Sequence, residues 1–208
     1  MDNRNKKENK PTVKKEEYAV VLDYLSRGYV KSDMSKFGGK PIAQAIGTEQ
    51  FTLLELAPKN GVDLEIQDQV YIGKGKRDKI YRVLGKLDYE NLTATARIEL
   101  DYSIRDIVED NEDKFVEFFN TADSVSTRMH SLELIPGIGK KYMWDIIKAR
   151  EQKPFESFED ISERLPTLAD PAAMIVNRVK QELDTTKPKR GKNKYYLFTQ
   201  PPRAARRR

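Results

Sequence analysis

Apolar residues change their spacing along the chain, and that change divides it. Up to Leu84 they recur at every second position in short runs, the period of a pleated strand; from Leu92 onwards they recur at every third or fourth, the period of a helix. The first run sets Tyr18, Val20, Leu22 and Tyr24 against Ala19, Val21, Asp23 and Leu25, so both faces are largely apolar, as in a barrel strand. Ile42, Gln44 and Ile46 alternate until Gly47, and a further run covers 51–56. Lys59-Asn60-Gly61 signals a turn, after which Val62, Leu64 and Ile66 alternate with acids. Val70-Tyr71-Ile72-Gly73 and 80–84 complete the series. Five or six short strands with no long helix between them predict a small closed or half-open barrel, with an oligonucleotide-binding (OB) barrel as the natural candidate.

In the second half Leu92, Ala96 and Leu100 recur every four residues behind a cap at Asn91 or Thr93. Residues 101–122 hold seven acids against two bases, and Ile104, Ile107, Val108, Phe115, Phe118 and Phe119 form a stripe. This reads as an acidic helical connector that packs between two domains and faces away from nucleic acid. Val125, Met129 and Leu132 predict a helix over 124–134, and Tyr142, Ile146 and Ala149 a second one. Ser157 with Asp160 three residues later marks a further helix start.

Between the helices predicted at 124–134 and after 140 lies Leu134-Ile135-Pro136-Gly137-Ile138-Gly139-Lys140-Lys141. Pro136 cannot continue a helix. Gly137 and Gly139 permit positive φ and leave no Cβ in the way, so amides at the next helix's N-terminus can face an anion beside Lys140 and Lys141. The stretch resembles the helix-hairpin-helix motif, a nucleic-acid-binding element without sequence specificity whose hairpin runs Leu/Ile-Pro-Gly-hydrophobic-Gly. The resemblance assigns Pro136, Gly137, Ile138, Gly139, Lys140 and Lys141 to backbone phosphate. Thirty residues on, Leu165-Pro166-Thr167-Leu168-Ala169 repeats the pattern without its glycines and with Asp170 in place of Lys140, so the second unit is structural. His130, the single histidine, falls on the predicted first helix and receives no role.

Charge refines this picture. The chain carries +5, but residues 187–208 contain nine Lys or Arg and no acid, which leaves everything before them at −4. Binding of a polyanion then rests on local features and on the tail, through Lys189, Arg190, Lys192, Arg203, Arg206, Arg207 and Arg208. Within the tail, 194–199 has strand propensity and either docks along a barrel edge or offers aromatics to bases. The absence of cysteine excludes disulfides and thiolate metal sites, and no cofactor or metal is expected. Without an apolar run of about 20 residues or a signal-peptide core the expectation is a cytoplasmic protein with no membrane partner and no small-molecule substrate.

The expected class is therefore α+β in two domains: an OB-like β-barrel, then an all-α tandem helix-hairpin-helix (SAM-like) domain with a basic tail. The boundaries are a disordered arm at 1–17, the barrel at 18–100, the connector at 101–122, the hairpins at 123–184 and the tail at 185–208. On the barrel, Lys36, Lys40, Lys74, Lys76, Arg77 and Lys79 would follow a backbone while Tyr71 and Tyr81 stack on bases, unless those aromatics are core.

Ile80-Tyr81-Arg82-Val83-Leu84-Gly85, then Tyr89-Glu90-Asn91-Leu92-Thr93, and the block 131–165 resemble an archaeal family of uncharacterised proteins described as candidate RNA-binding proteins. The resemblance covers roughly 16–199 and implies the same barrel and hairpin. Its members tend to be encoded near genes for ribosomal protein synthesis and rRNA methylation, which favours RNA over DNA and a ribosomal context. The leading expectation is a non-enzymatic nucleic-acid-binding protein. The alternatives are a hairpin-containing repair or nuclease enzyme, with Asp160 about 20 residues after the hairpin as in glycosylases of that kind, and a protein–protein module.

Overall fold

The computed structural model describes residues 15–29, 39–184, 186 and 195–200. Five strands, β1 (Tyr18–Leu25), β2 (Ile42–Gly47), β3 (Leu53–Pro58), β4 (Gln69–Tyr71) and β5 (Ile80–Lys86), form one antiparallel sheet in the order β4-β1-β2-β3-β5. The sheet curls into a half-barrel. Ala19, Val21, Ala43, Ala45, Leu54, Leu56, Val70 and Ile80 fill its concave side. A bulge between Val21 and Asp23 in the β1–β2 register coincides with Leu22 packing in the other core, against the helices. Every residue of β2 is buried because the sheet has core on both faces.

The alternating run at Val62, Leu64 and Ile66 forms no strand. Leu64 plugs the barrel and Ile66 is exposed, while Gln67 donates to the Val21 carbonyl and Val21 to that of Asp68, so the chain here serves β1 and not a sixth strand. The last residues of the expected N-terminal arm are also committed. The Glu16 carboxylate accepts amides of Glu49 (2.8 Å), Gln50 and Thr52 (3.0 Å), closing the β2–β3 turn.

Helix α1 (Ala94–Asp110) begins at Thr93, whose hydroxyl accepts the Ala96 amide. It runs unbroken past residue 100, where the sequence suggested a domain boundary. Asn111 then separates it from α2 (Glu112–Thr121). The expected stripe is buried through Ile104, Ile107, Val108, Phe115 and Phe119, in one cluster that extends from Leu22, Ile46 and Phe51 of the sheet to Ile175 and Val179 of the last helix. Barrel and helical half therefore share a core.

No helix forms over 124–134. A small hairpin, β6 (Ser124–Ser126) with β7 (Met129–His130), leads into a 3-10 turn at Ser131–Leu134. The cause is local: Asp123, Ser126 and Ser131 bond nearby backbone groups, and polar residues of this kind compete with helical bonding. His130 heads the 3-10 turn, its Nδ1 accepting the Leu132 amide at 3.1 Å while Glu133 accepts the His130 amide. Burial pushes its pKa down, and the neighbouring Arg150 adds to the effect. Three helices follow, α3 (Lys140–Gln152), α4 (Phe158–Arg164) and α5 (Pro171–Leu183).

The stretch predicted as a docked strand is described from residue 195. It does dock, but in irregular conformation and on α5 and α2, not along a strand edge. Three consecutive amides, those of Leu197, Phe198 and Thr199, point at the Glu182 carboxylate, which a ladder partner would not allow. Phe198 meets Phe115 and Phe118 edge-on. Among the described residues no helix is long and apolar enough to cross a membrane.

Candidate nucleic-acid interface

Pro136 and Gly137 are the central residues of a turn closed by the Ile138 amide on the Ile135 carbonyl at 3.1 Å. Gly137 has φ +90°, the value the third position of a type II turn requires. A Cβ there would also lie 2.9 Å from Met174 Cε of α5. Ile135 and Ile138 are buried, which anchors the turn from below and leaves Gly137, Gly139, Lys140 and Lys141 exposed.

Gly139 is the N-cap of α3, with φ −91° and ψ −179° and no side chain to close the helix end. Its carbonyl takes the Met143 amide, so the amides of Lys140, Lys141 and Tyr142 precede the first intrahelical bond. α3 also lacks an acid in its first turn. The other long helices differ: Thr93 caps α1, Asp170 caps α5, and Glu112 and Asp113 occupy the head of α2. A concavity of about 400 Å³ opens beside the turn between Glu133, Gly137, Gly139 and Gln181.

The second copy repeats the turn, with Leu168 bonding back to Leu165 at 2.9 Å. Thr167 keeps a negative φ, and the head of α5 already holds a carboxylate. Asp170 accepts the Ala172 amide at 2.9 Å and pairs with Arg105 at 3.1 Å. The structure thus fills with its own side chain the position that stays open on α3. Asp160 accepts the Glu156 amide at 3.1 Å and pairs with Arg164 at 3.2 Å, which ties it to the head of α4.

On the barrel the predicted residues scatter. Tyr71 lies edge-on to Tyr18 at 5.2 Å and its hydroxyl accepts the Gly75 amide, so it is wall and not platform. Lys79 pairs with Asp68 at 2.8 Å, and Arg77 donates to the Gly73 carbonyl. Lys74 and Lys76 are exposed on the same loop. Tyr81 is 69% exposed on β5 and borders a groove of about 810 Å³ with Lys40, Lys59 and Arg82 and no acid. Sequence reasoning missed Lys59 and Arg82; alternation out of phase with buried Ile80 would have put Tyr81 on the outer side, but the approach of β2 and β3 to β5 is not local information. Lys36, Lys189, Arg190, Lys192, Arg203, Arg206, Arg207 and Arg208 lie outside the described residues.

These features define an α+β protein in which, among the described residues, five helices pack on a curled antiparallel half-barrel through a shared core, while a second core fills the half-barrel itself. The chain belongs to the family described as protein of unknown function (DUF655), whose model matches residues 15–200. It is 50% identical over 193 residues to uncharacterized protein MJ0038 of Methanocaldococcus jannaschii, covering 92% of this chain and 83% of that one. The crystal structure of Af1531 from Archaeoglobus fulgidus, from the same family, superposes with a TM-score of 0.78 at 44% identity, over 89% of this chain and all of that one.

Proposed function

We propose that this protein binds nucleic acid without turning it over, and binds RNA in preference to DNA, with ribosomal or other structured RNA as its context. The observation that carries the reading is the open head of α3. Unpaired amides, a glycine N-cap, an adjacent concavity and two exposed lysines converge there, whereas the N-cap of α5, one residue further on in the 30-residue repeat, is Asp170, whose side chain closes that helix head. Such a head binds a phosphate by amide donation and dipole, with Lys140 and Lys141 adding charge. The element is a half helix-hairpin-helix, because a 3-10 turn stands where the first helix would be.

The strand order supports an OB-like reading of the half-barrel: β4 and β5 are the two edges, and pairing them would close it. The groove lined from β2, β3 and β5, with Tyr81, Lys40, Lys59 and Arg82, then suits a strand or loop segment. A phosphate cradle does not read the 2′-hydroxyl, so the preference for RNA rests on the family resemblance drawn from the sequence.

Gly139→Asp tests the reading. The new carboxylate would occupy the anion position, so affinity for a single-stranded RNA should fall by about 1–3 kcal/mol, the scale of lost charge-assisted hydrogen bonds. Ala169→Asp, its counterpart beside an already filled helix head, should leave affinity nearly unchanged. Equal effects from the two variants in fluorescence anisotropy, both folded, would contradict it.

A further inference from the structure

The buried positions of α3 fix its orientation. Met143 and Ile146 face the core, and a rotation of 100° per residue then sends Lys140, Lys141, Trp144, Lys148 and Glu151 to the outside. Trp144, the only tryptophan of the chain, is 55% exposed. Tryptophans this exposed are uncommon because the indole contributes most when covered. It is not among the side chains of the core that α3 shares with the sheet and the other helices.

Its surroundings specify what would cover it. Lys140 lies one turn before Trp144 and Lys148 one turn after, both exposed, while Glu151 is at the far end of the helix and Asp145 lies to one side, half-buried. Helical side chains lean towards the N-terminus, so the indole reaches over the turn that carries Lys140 and Lys141. An apolar partner helix would meet a lysine on either side of the ring. A nucleic-acid strand offers a flat base for the indole and phosphates for the lysines.

We propose that Trp144 is a stacking platform for an unpaired base adjacent to the phosphate held at the head of α3. The protein then selects single-stranded or overhanging nucleic acid over continuous duplex, whose bases already stack on each other. This inference rests on the cradle reading above for its register but makes a separate claim about substrate class.

Because the chain has one tryptophan, its emission reports on this position alone. Full-length protein is titrated with oligouridine of about 15 nucleotides, within the range a small binding module covers, and with a blunt duplex of equal length. Emission should be quenched by the single strand along the same isotherm that anisotropy gives for binding, and much less by the duplex. Trp144→Ala should weaken single-strand binding roughly 5- to 150-fold, the effect of removing one stacked base, and leave duplex binding unchanged. Trp144→Phe should recover part of the loss, and Tyr102→Ala, which removes an exposed aromatic on α1, should cause none. Wild-type affinity in a folded Trp144→Ala variant would overturn the proposal. So would unquenched emission at saturation, or a concentration-dependent blue shift without nucleic acid, which would make this face a contact between copies. Loss with Gly139→Asp but not with Trp144→Ala would remove the platform and keep the cradle; the reverse pattern would keep the platform and remove the cradle.

Discussion

Gly137 and Gly139 sit two residues apart and are needed for different reasons. Gly137 supports the turn: its φ of +90° strains any L side chain, and a Cβ would press on Met174. Gly137→Ala should therefore cost about 1–3 kcal/mol of stability, read from urea midpoints. Gly139 has an ordinary extended φ, and no atom lies within 4 Å of a Cβ placed there. Since Asp is a better N-cap than Gly by a few tenths of a kcal/mol, Gly139→Asp should melt at or above the wild-type temperature. Opposite signs on stability and affinity at one residue are what a binding position shows and a structural one does not. The turn at Gly137 was legible in the sequence because turn chemistry is local, whereas Gly139, expected to use the same freedom, keeps a negative φ. Trp144 was not, since its outward aim follows from the phase set by Met143 and Ile146; Tyr142 and Ala149, which the sequence pattern placed on the core side, are only half-buried.

Among elements, the segment 195–200 has the least visible cause. Arg178 and Glu182 are four apart on α5 and read as an ordinary exposed ion pair, yet both side chains are 1% exposed, 2.8 Å apart. The guanidinium also donates to the carbonyls of Leu134 and Tyr195, and the carboxylate accepts the amides of Leu197, Phe198 and Thr199 with the Thr199 hydroxyl. Gln200 continues to Gln50 and Lys86 of the barrel side. One buried pair thus fastens the start of the hairpin turn and the C-terminal segment to the same helix. Glu182→Gln keeps the shape but strands the Arg178 charge, and should cost about 3–5 kcal/mol in equilibrium unfolding. A change under about 1 kcal/mol, the range of exposed pairs, would mean that the segment is not held this way. The sequence read 194–199 as a strand docked along a barrel edge or free to meet bases; residues 195–200 instead pack without strand structure, because the ligand for their backbone is a carboxylate on a distant helix, which no pattern in the segment reveals. The helix expected at 124–134 failed for the opposite reason, because local polar competition outweighed a chance spacing of apolar residues.

At the scale of the molecule, the change of hydrophobic period separated sheet from helices, but α1 runs past the expected boundary and one of the two cores joins both halves. A sheet with two buried faces needs a second layer, and the helices supply it. The charge balance sets the remaining problem. Residues up to 186 sum to −4, so a polyanion can be held by the open head of α3, by the groove that Tyr81 borders, or merely by the nine cations of 187–208. Binding by counterion release alone calls on no particular amide, whereas a cradle moves particular ones. Amide-resolved NMR of the full chain during titration with unlabelled single-stranded RNA separates them most directly. The cradle predicts saturable shifts at the amides of Lys140, Lys141 and Tyr142, with the Trp144 indole following the same isotherm and the head of α5 silent. Shifts confined to 187–208, with α3 unmoved at saturation, would contradict it.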